Sequence, residues 1–144
     1  MVHTDLIVAD PSDAKLFGDS ENDSKFKCRE TSKLSLGHFV ALQCALSKQK
    51  FTDELHKDYP LLFEASEEGP WVGKVSDELV QLVSEIKDKD IPNVVKLWKQ
   101  VKSAHMGFVN DYPSDVLKAG LKDIREFSLD AIRSKNSVLI RFWL

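Results

Sequence analysis

The stretch richest in side chains that could do chemistry is an acidic turn that runs into an aromatic residue. Glu64, Glu67 and Glu68 lie close together, and Trp71 follows them. Two carboxylates can act as general acid and general base when their surroundings separate their pKa values. Carboxylates bunched in a turn are more typical of a solvated surface, where negative charge steers a partner toward a contact site. We therefore predict that these four residues bind a basic protein partner.

Trp71 allows two interpretations of this turn. Its indole either packs into the core and anchors the loop, or stays exposed as a contact residue, as tryptophan often is at the centre of an interface. Gly69 and Pro70 precede it and favour an extended backbone. The sequence leaves both interpretations open.

The four histidines, His3, His38, His56 and His105, are spread along the chain. None lies four positions from another histidine, a cysteine or a carboxylate, which is the helical spacing of many metal sites. We predict that the protein holds no metal and no cofactor. We expect His38 to be a hydrogen-bonded residue of the core or of a helix edge.

A second arrangement of polar side chains would support a different function. His38, His56, Glu64 and Tyr112 could line the pocket of a small enzyme or of a small-molecule-binding protein. That alternative requires the fold to bring separated segments together, which spacing along the chain does not show. The chain carries no P-loop, nucleophile elbow or Gly-x-Gly-x-x-Gly motif. No catalytic residue can therefore be assigned.

The two cysteines, Cys28 and Cys44, are expected to remain thiols in a reducing compartment. Cys44 lies in an apolar run and is predicted to be buried. Cys28 stands between Lys27 and Arg29, whose positive charges could lower the pKa of its thiol. The simpler interpretation of Cys28 is a strand or loop residue without chemical function.

Charge and hydropathy exclude several classes of protein. The chain has 144 residues and a net charge of −3, with 20 basic residues scattered among 23 acidic ones. A nucleic-acid-binding surface needs clustered Lys and Arg, so we predict no nucleic-acid partner. No stretch approaches the ~20 apolar residues of a membrane span, and the N-terminus lacks a signal peptide's basic and apolar regions. We expect a cytoplasmic protein, and the oligomeric state stays undetermined.

The C-terminal part of the chain is the predicted centre of the fold. Apolar residues recur at three- and four-residue steps from Leu117 to Ala131, which predicts an amphipathic helix. The turn 134–137 ends that helix, and Asn136 is the expected left-handed residue because Asn tolerates positive φ. The segment Val138–Leu144 is almost entirely apolar and predicts a strand covered on both faces, in the middle of a sheet.

The other elements predict one α+β domain over residues 1–144. An N-terminal strand covers residues 4–9 and a buried helix covers 35–47. Two apolar runs flank the acidic turn, either as a hairpin or as a loop that leads a strand toward Ser76. Helices begin after Ser76 and after Asp90, and they follow one another without an intervening strand. We therefore expect a helix-rich fold with a small sheet that contains the N- and C-terminal strands.

Several of these segments resemble the YfbM-like family, a group of small uncharacterised bacterial proteins. The similar features are the opening strand, the buried helix at 33–46, the apolar run at 70–72 leading to 75–80, and the closing turn at 134–137 with its strand. The resemblance spans nearly the whole chain and implies the same α+β fold. It brings no catalytic residue to any position of this sequence.

Two functions follow as hypotheses. The first is an intracellular bacterial protein-interaction module, non-enzymatic and of immunity or regulatory type, which docks its partner at Glu64, Glu67, Glu68 and Trp71. The second is the small enzyme or ligand-binding protein with the pocket of His38, His56, Glu64 and Tyr112.

Overall fold

The computed structural model describes residues 3–19, 27–31, 34–103, 107–109 and 112–143. Within these ranges the helices are α1 (Ala14–Asp19), α2 (Leu36–Ser47), α3 (Asp77–Ser84), α4 (Ile91–Lys99) and α5 (Ser114–Ser134). The strands are β1 (His3–Ala9), β2 (Lys27–Glu30), β3 (Leu61–Glu64), β4 (Trp71–Lys74), β5 (Lys102–Ser103), β6 (Gly107–Phe108) and β7 (Ser137–Trp143). Short 3-10 helices cover Pro11–Asp13, Asp53–Asp58 and Asp88–Asp90.

The principal sheet has five antiparallel strands in the order β2-β1-β7-β4-β3. The C-terminal strand β7 lies in the middle, between β1 and β4. This confirms the predicted α+β fold and the central position of the last strand. Of the two arrangements that the sequence leaves open around the acidic turn, the structure shows the hairpin, formed by β3 and β4.

Each face of the sheet has its own apolar core, because side chains alternate along a strand. Leu6 and Val8 of β1 and Val138 and Ile140 of β7 face the larger core, which helices α2 to α5 complete. The opposite face is covered by α1. Its buried residues are Ile7, Ala9, Ala14, Phe17, Val72 and Leu139.

The charge within β7 is buried, which the nearly apolar sequence of that strand did not indicate. Arg141 donates from Nε and Nη2 to Oδ2 of Asp5, at 3.0 and 2.6 Å, across the β1–β7 pair. Its Nη1 also donates to the carbonyl of Phe17 in α1, at 3.2 Å. Removing either partner would leave a buried charge uncompensated, which typically costs ~3–5 kcal/mol.

The turn after α5 corrects one prediction. The left-handed residue is Lys135, with φ of 57°, and not Asn136. The N–H of Asn136 donates to the carbonyl of Ala131 at 2.9 Å, and that of Lys135 to Ile132 at 3.3 Å. This pair of bonds is a Schellman motif, in which the residue after the helix takes the left-handed conformation.

Helix α4 also differs from its prediction. The apolar spacing from Val94 through Val101 toward His105 predicts a longer helix, but α4 ends at Lys99. The short strands β5 and β6 follow instead and pair with each other. His105 lies outside the described residues. Among the helices that the structure describes, none has the length and apolar character needed to cross a bilayer.

We predict that Lys135→Gly raises the free energy of unfolding by about 0.5–1 kcal/mol, because glycine adopts positive φ without the steric cost that a Cβ imposes. Chemical denaturation of the variant measures this change. Asn136→Gly is the matched control and should bring no gain, because Asn136 does not have a positive φ. A gain for Asn136→Gly alone would contradict this account of the turn.

Candidate protein interface

The acidic turn is the loop of a hydrogen-bonded hairpin. The N–H of Ala65 donates to the carbonyl of Pro70 at 3.1 Å, and the N–H of Gly69 donates to Ser66 at 3.1 Å. Gly69 has φ of 95°, and a Cβ on it would lie 2.9 Å from Cβ of Trp143. Glycine is therefore required where the loop approaches β7. Glu67 and Glu68 stand exposed at the tip.

Trp71 begins strand β4 and does not lie in the loop. It pairs with Glu64 of β3 on one side and with Phe142 of β7 on the other. The rings of Trp71 and Phe142 are 5.4 Å apart between centroids, and both residues are half-buried. Part of the Trp71 ring thus packs on the sheet and the rest is exposed. The residue therefore has features of both interpretations, the anchor that packs on the protein and the exposed contact residue.

Burial decreases along the sheet toward Trp71. On the face that carries the larger core, Val138 and Ile140 are fully buried, whereas Phe142 is half-buried. Leu61, on the same face of β3, is 52% exposed. The apolar core therefore continues into a surface that the described helices cover only in part. We name it the acidic–aromatic surface, formed by Leu61, Glu64, Glu67, Glu68, Trp71 and Phe142.

The carboxylates of this surface are not neutralised by the protein. Within the described part of the chain, Glu64, Glu67 and Glu68 form no ion pair. The acids on α5 differ, since Arg29 of β2 lies 3.0 Å from the carboxylate of Asp123 and also pairs with Glu126. The negative charge of the acidic–aromatic surface is therefore available to an external cation.

Gln43 of α2 anchors both ends of the hairpin. Its Oε1 accepts from the hydroxyls of Tyr59 and Ser76, each at 2.6 Å. Tyr59 comes just before β3, and Ser76 comes just after β4. Nε2 of Gln43 donates to Glu78 at 3.0 Å, which satisfies the amide on both sides. Gln43, Tyr59 and Ser76 are buried, and burial raises the pKa of Tyr59, so its hydroxyl remains a donor.

Sequence reasoning recognised Gln43 only as a polar residue inside an apolar helix. Its partners are 16 and 33 positions away, so local spacing could not reveal them. One signal was available. A buried amide must be hydrogen-bonded on both sides, so a glutamine in a helix that is apolar nearly all round requires partners from other segments.

Two of the four residues predicted for a pocket are in contact. The rings of His38 and Tyr112 meet edge to face at 4.3 Å between centroids. His56 is exposed and its ring contacts Phe51, while Glu64 is exposed on β3. The His38–Tyr112 contact does not by itself form a pocket, because His38 is only 6% exposed.

His38 serves the start of α2, as a helix-edge histidine. Its Nδ1 accepts from the backbone N–H of Ser35 at 2.9 Å and lies 2.8 Å from the hydroxyl of the same residue. The ring therefore carries its proton on Nε2 in the neutral state. Burial lowers the pKa of His38 from 6.5 to about 4, since the charged form would lose its hydration.

Cys28 and Cys44 are thiols and are not joined in a disulfide. Lys27 and Arg29 extend over the ring of Phe127 on α5, whereas Cys28 packs against the opposite core with Ile7. Alternation along β2 therefore places the Cys28 side chain on the opposite face from these two cations, which favours the simpler interpretation of Cys28 as a strand residue. Cys44 is buried, as predicted, and burial raises the pKa of its thiol.

Two open grooves flank helix α4. The first, about 540 Å³, is lined by Cys44, Ala45, Lys48, Gln49, Lys50, Phe51, Leu97, Gln100 and Val101. The second, about 520 Å³, is lined by Pro92, Val95, Lys96, Lys99, Ser114, Asp115 and Lys118. None of the residues predicted for a site lines either groove. Among the described residues, no three His, Cys, Asp or Glu side chains converge as a metal site would require.

Comparison with known proteins adds no relative. A scan against protein-family models, a search of curated proteins and a search of solved structures each find no match to this chain.

We predict that Gln43→Leu lowers the free energy of unfolding by ~2–4 kcal/mol. Leucine fills a similar volume but leaves the buried hydroxyls of Tyr59 and Ser76 without their acceptor. Urea denaturation measures the loss. Gln81→Leu is the matched control, because Gln81 is exposed on α3 and its change should stay within ~0.5 kcal/mol. Equal effects of the two substitutions would refute the role given to Gln43.

We predict that His38 makes stability fall as the pH decreases from about 6.5 to about 4. In this interval the unfolded chain binds a proton that the folded chain excludes, so protonation favours unfolding. Above it neither state is charged at His38, and below it the loss stays constant. Each unit of pKa difference is worth ~1.4 kcal/mol, so a difference of about 2.5 units sets an upper limit of ~3.5 kcal/mol.

Denaturation curves across this pH range test the effect in the wild type and in His38→Gln, whose amide oxygen can still accept from Ser35. The variant should lack the part of the pH dependence that His38 contributes. If both proteins lose the same stability between pH 6.5 and 4, His38 is not its source.

Proposed function

We propose that this chain is a non-enzymatic protein-interaction module, of immunity or regulatory type, that docks a basic protein through the acidic–aromatic surface. The proposal includes the intracellular bacterial setting and the YfbM-like kinship expected from the sequence. Its main support is one juxtaposition: the half-buried pair of Trp71 and Phe142 lies beside three exposed glutamates that are free of ion pairs in the described structure.

The two parts of this surface would contribute differently to binding. Partly exposed aromatic residues supply apolar area at little conformational cost, and such residues dominate the binding energy of many interfaces. Surrounding charges mainly increase the association rate and select partners of opposite sign. Trp71 and Phe142 would therefore hold the partner, and Glu64, Glu67 and Glu68 would attract it.

The hairpin would hold the surface in a defined shape. Gln43 anchors its two ends, and β4 pairs with the central strand β7 along its whole length. A preorganised surface loses little conformational entropy on binding, which favours affinity. The side chains most capable of chemistry have other roles in the structure: His38 accepts a bond at the start of α2, and Cys44 is part of the core.

We predict that Trp71→Ala weakens binding of the partner by ~2 kcal/mol or more, mostly through faster dissociation. The partner is first captured from a lysate of the native cells, and its affinity is then measured by surface plasmon resonance. Because Trp71 is only half-buried, the variant should lose ~1–2 kcal/mol of stability, less than the ~3–5 kcal/mol of a fully buried tryptophan.

Glu67→Lys with Glu68→Lys should instead slow association and weaken its dependence on salt, since exposed charges are screened within ~8 Å at physiological ionic strength. Glu85 is an exposed acid at the C-terminal end of α3, outside this surface, so Glu85→Lys is the control for charge reversal elsewhere and should bind normally. Unchanged affinity in Trp71→Ala, or a stability loss typical of a core tryptophan, would disprove the docking function of this surface.

A further inference from the structure

The edge of the sheet beside the acidic–aromatic surface is poorly suited to accept another strand. Strand β3 has four residues, and its register with β4 shifts between Leu61 and Phe63. Glu64 adds a charge at its end. Short length, a bulge and charged side chains are the features by which proteins prevent strands from pairing with a sheet edge. This edge therefore disfavours a partner that extends the sheet and leaves the face of the sheet as the contact.

The uncovered part of that face has the width of a helix. Glu64, Trp71 and Phe142 lie opposite one another on β3, β4 and β7. Adjacent strands are ~4.8 Å apart, so this row spans ~10 Å. An α-helix with its side chains has a diameter of ~10–12 Å.

The rest of the same face already shows which element covers it. Leu6, Val8, Val138 and Ile140 are buried there in one core with residues of α5, including Leu121, Ile124 and Phe127. Phe142 packs at the margin of this core and is only half-buried. In the row that contains Trp71, burial therefore falls from Thr4 on β1, which is fully buried, through the half-buried Phe142 and Trp71 to the exposed Glu64. An additional helix with an apolar stripe would extend the helical layer over the exposed part of this row, as helices cover sheets in other layered domains.

The negative charge beside this row determines which residues the additional helix needs next to its apolar stripe. Along the row, apolar residues lie toward the sheet centre and Glu64 lies at the edge, with Glu67 and Glu68 in the adjoining loop. A helix with its apolar stripe on Trp71 and Phe142 would bring its flanking residues over these carboxylates. Lys or Arg at those flanks would meet acids that no described residue neutralises.

We propose that the partner contributes a basic amphipathic helix. Its axis follows the strands, its width covers β3, β4 and β7, and its apolar stripe lies on Leu61, Trp71 and Phe142. The inference rests on the proposed function and specifies the structure of the partner segment. This mode of recognition is that of a helix in a groove, read through apolar residues at helical spacing.

Two synthetic peptides test the inference. Both contain the same numbers of Leu and Lys in about 15 residues, but one repeats its leucines with helical period and the other alternates them as a strand does. Each is titrated into ¹⁵N-labelled protein, and amide shifts are followed by NMR. The helical-period peptide should shift the resonances of Leu61, Trp71 and Phe142 and gain helical circular dichroism on binding.

Variants then locate the contact. Trp71→Ala should weaken binding of the helical-period peptide at least tenfold, and the triple change Glu64→Gln, Glu67→Gln and Glu68→Gln should weaken it at low salt but much less at high salt. Glu85→Gln, which neutralises one exposed acid outside this surface, is the control and should leave binding of the helical-period peptide unchanged. An amide spectrum that remains dispersed in each variant shows that the fold is intact.

The outcomes separate this inference from the function on which it rests. Stronger binding of the strand-period peptide at these residues, or no binding of the helical-period peptide there, overturns the helix inference. Neither result removes the docking function, which is tested by the captured partner. If Trp71→Ala does not weaken that partner, the proposed function fails as well, and the helix inference fails with it.

Discussion

The pairing of β1 with β7 is the constraint on which the rest of the structure depends. Asp5 and Arg141 are 136 positions apart, yet they face each other as neighbours in the sheet and form its buried ion pair. Both cores include residues of these two strands, and β4 joins the sheet only through β7. Contacts between such distant positions slow folding, since loop-closure entropy is lost before the contacts form. Most of the sheet therefore depends on β7, which is the last of the described strands along the chain.

The acidic–aromatic surface is a consequence of where that core ends. Strands β4 and β7 extend beyond the helices that cover their middle, which leaves Trp71 and Phe142 half-buried. Gln43 ties the hairpin to α2 through two buried hydroxyls, so the exposed part is held by the interior. The lysine and arginine of β2 pair with acids of α5, whereas no ion pair within the described residues includes the glutamates of this surface. Apolar area, rigidity and free charge thus coincide at one end of the sheet.

The features predicted correctly from sequence are those that depend on local pattern. The apolar run after residue 137 predicted a central strand, and Ser76 predicted a helix start that its hydroxyl does cap, accepting from the N–H of Leu79 at 3.1 Å. The exposed glutamates also followed from pattern alone, and the hairpin around them was one of the two arrangements that the pattern allowed. The features that sequence pattern did not predict depend on distant or geometric detail. Arg141 is buried because Asp5 faces it, and Lys135 takes the left-handed conformation because of where α5 ends.

The candidate surface was predictable in its charged part and not in its apolar part. Glu64, Glu67, Glu68 and Trp71 are close in sequence, so their association needed no fold. Leu61 and Phe142 join them only through strand register, which a single sequence does not specify. His38 and Tyr112 were two of the four residues predicted to line a pocket. They are in contact because α2 packs against the segment before α5.

The register of β1 and β7 also determines how the domain would respond to mechanical load. His3 pairs with Trp143, so the two strands run in opposite directions from the same end of the sheet. Tension applied at these two residues would pull the strands apart sideways and load their hydrogen bonds one pair after another. A zipper opened in this way resists far less force than strands sheared along their length. Tension at His3 and Trp143 would therefore open the domain first at the β1–β7 pairing, which joins the most distant parts of the described chain.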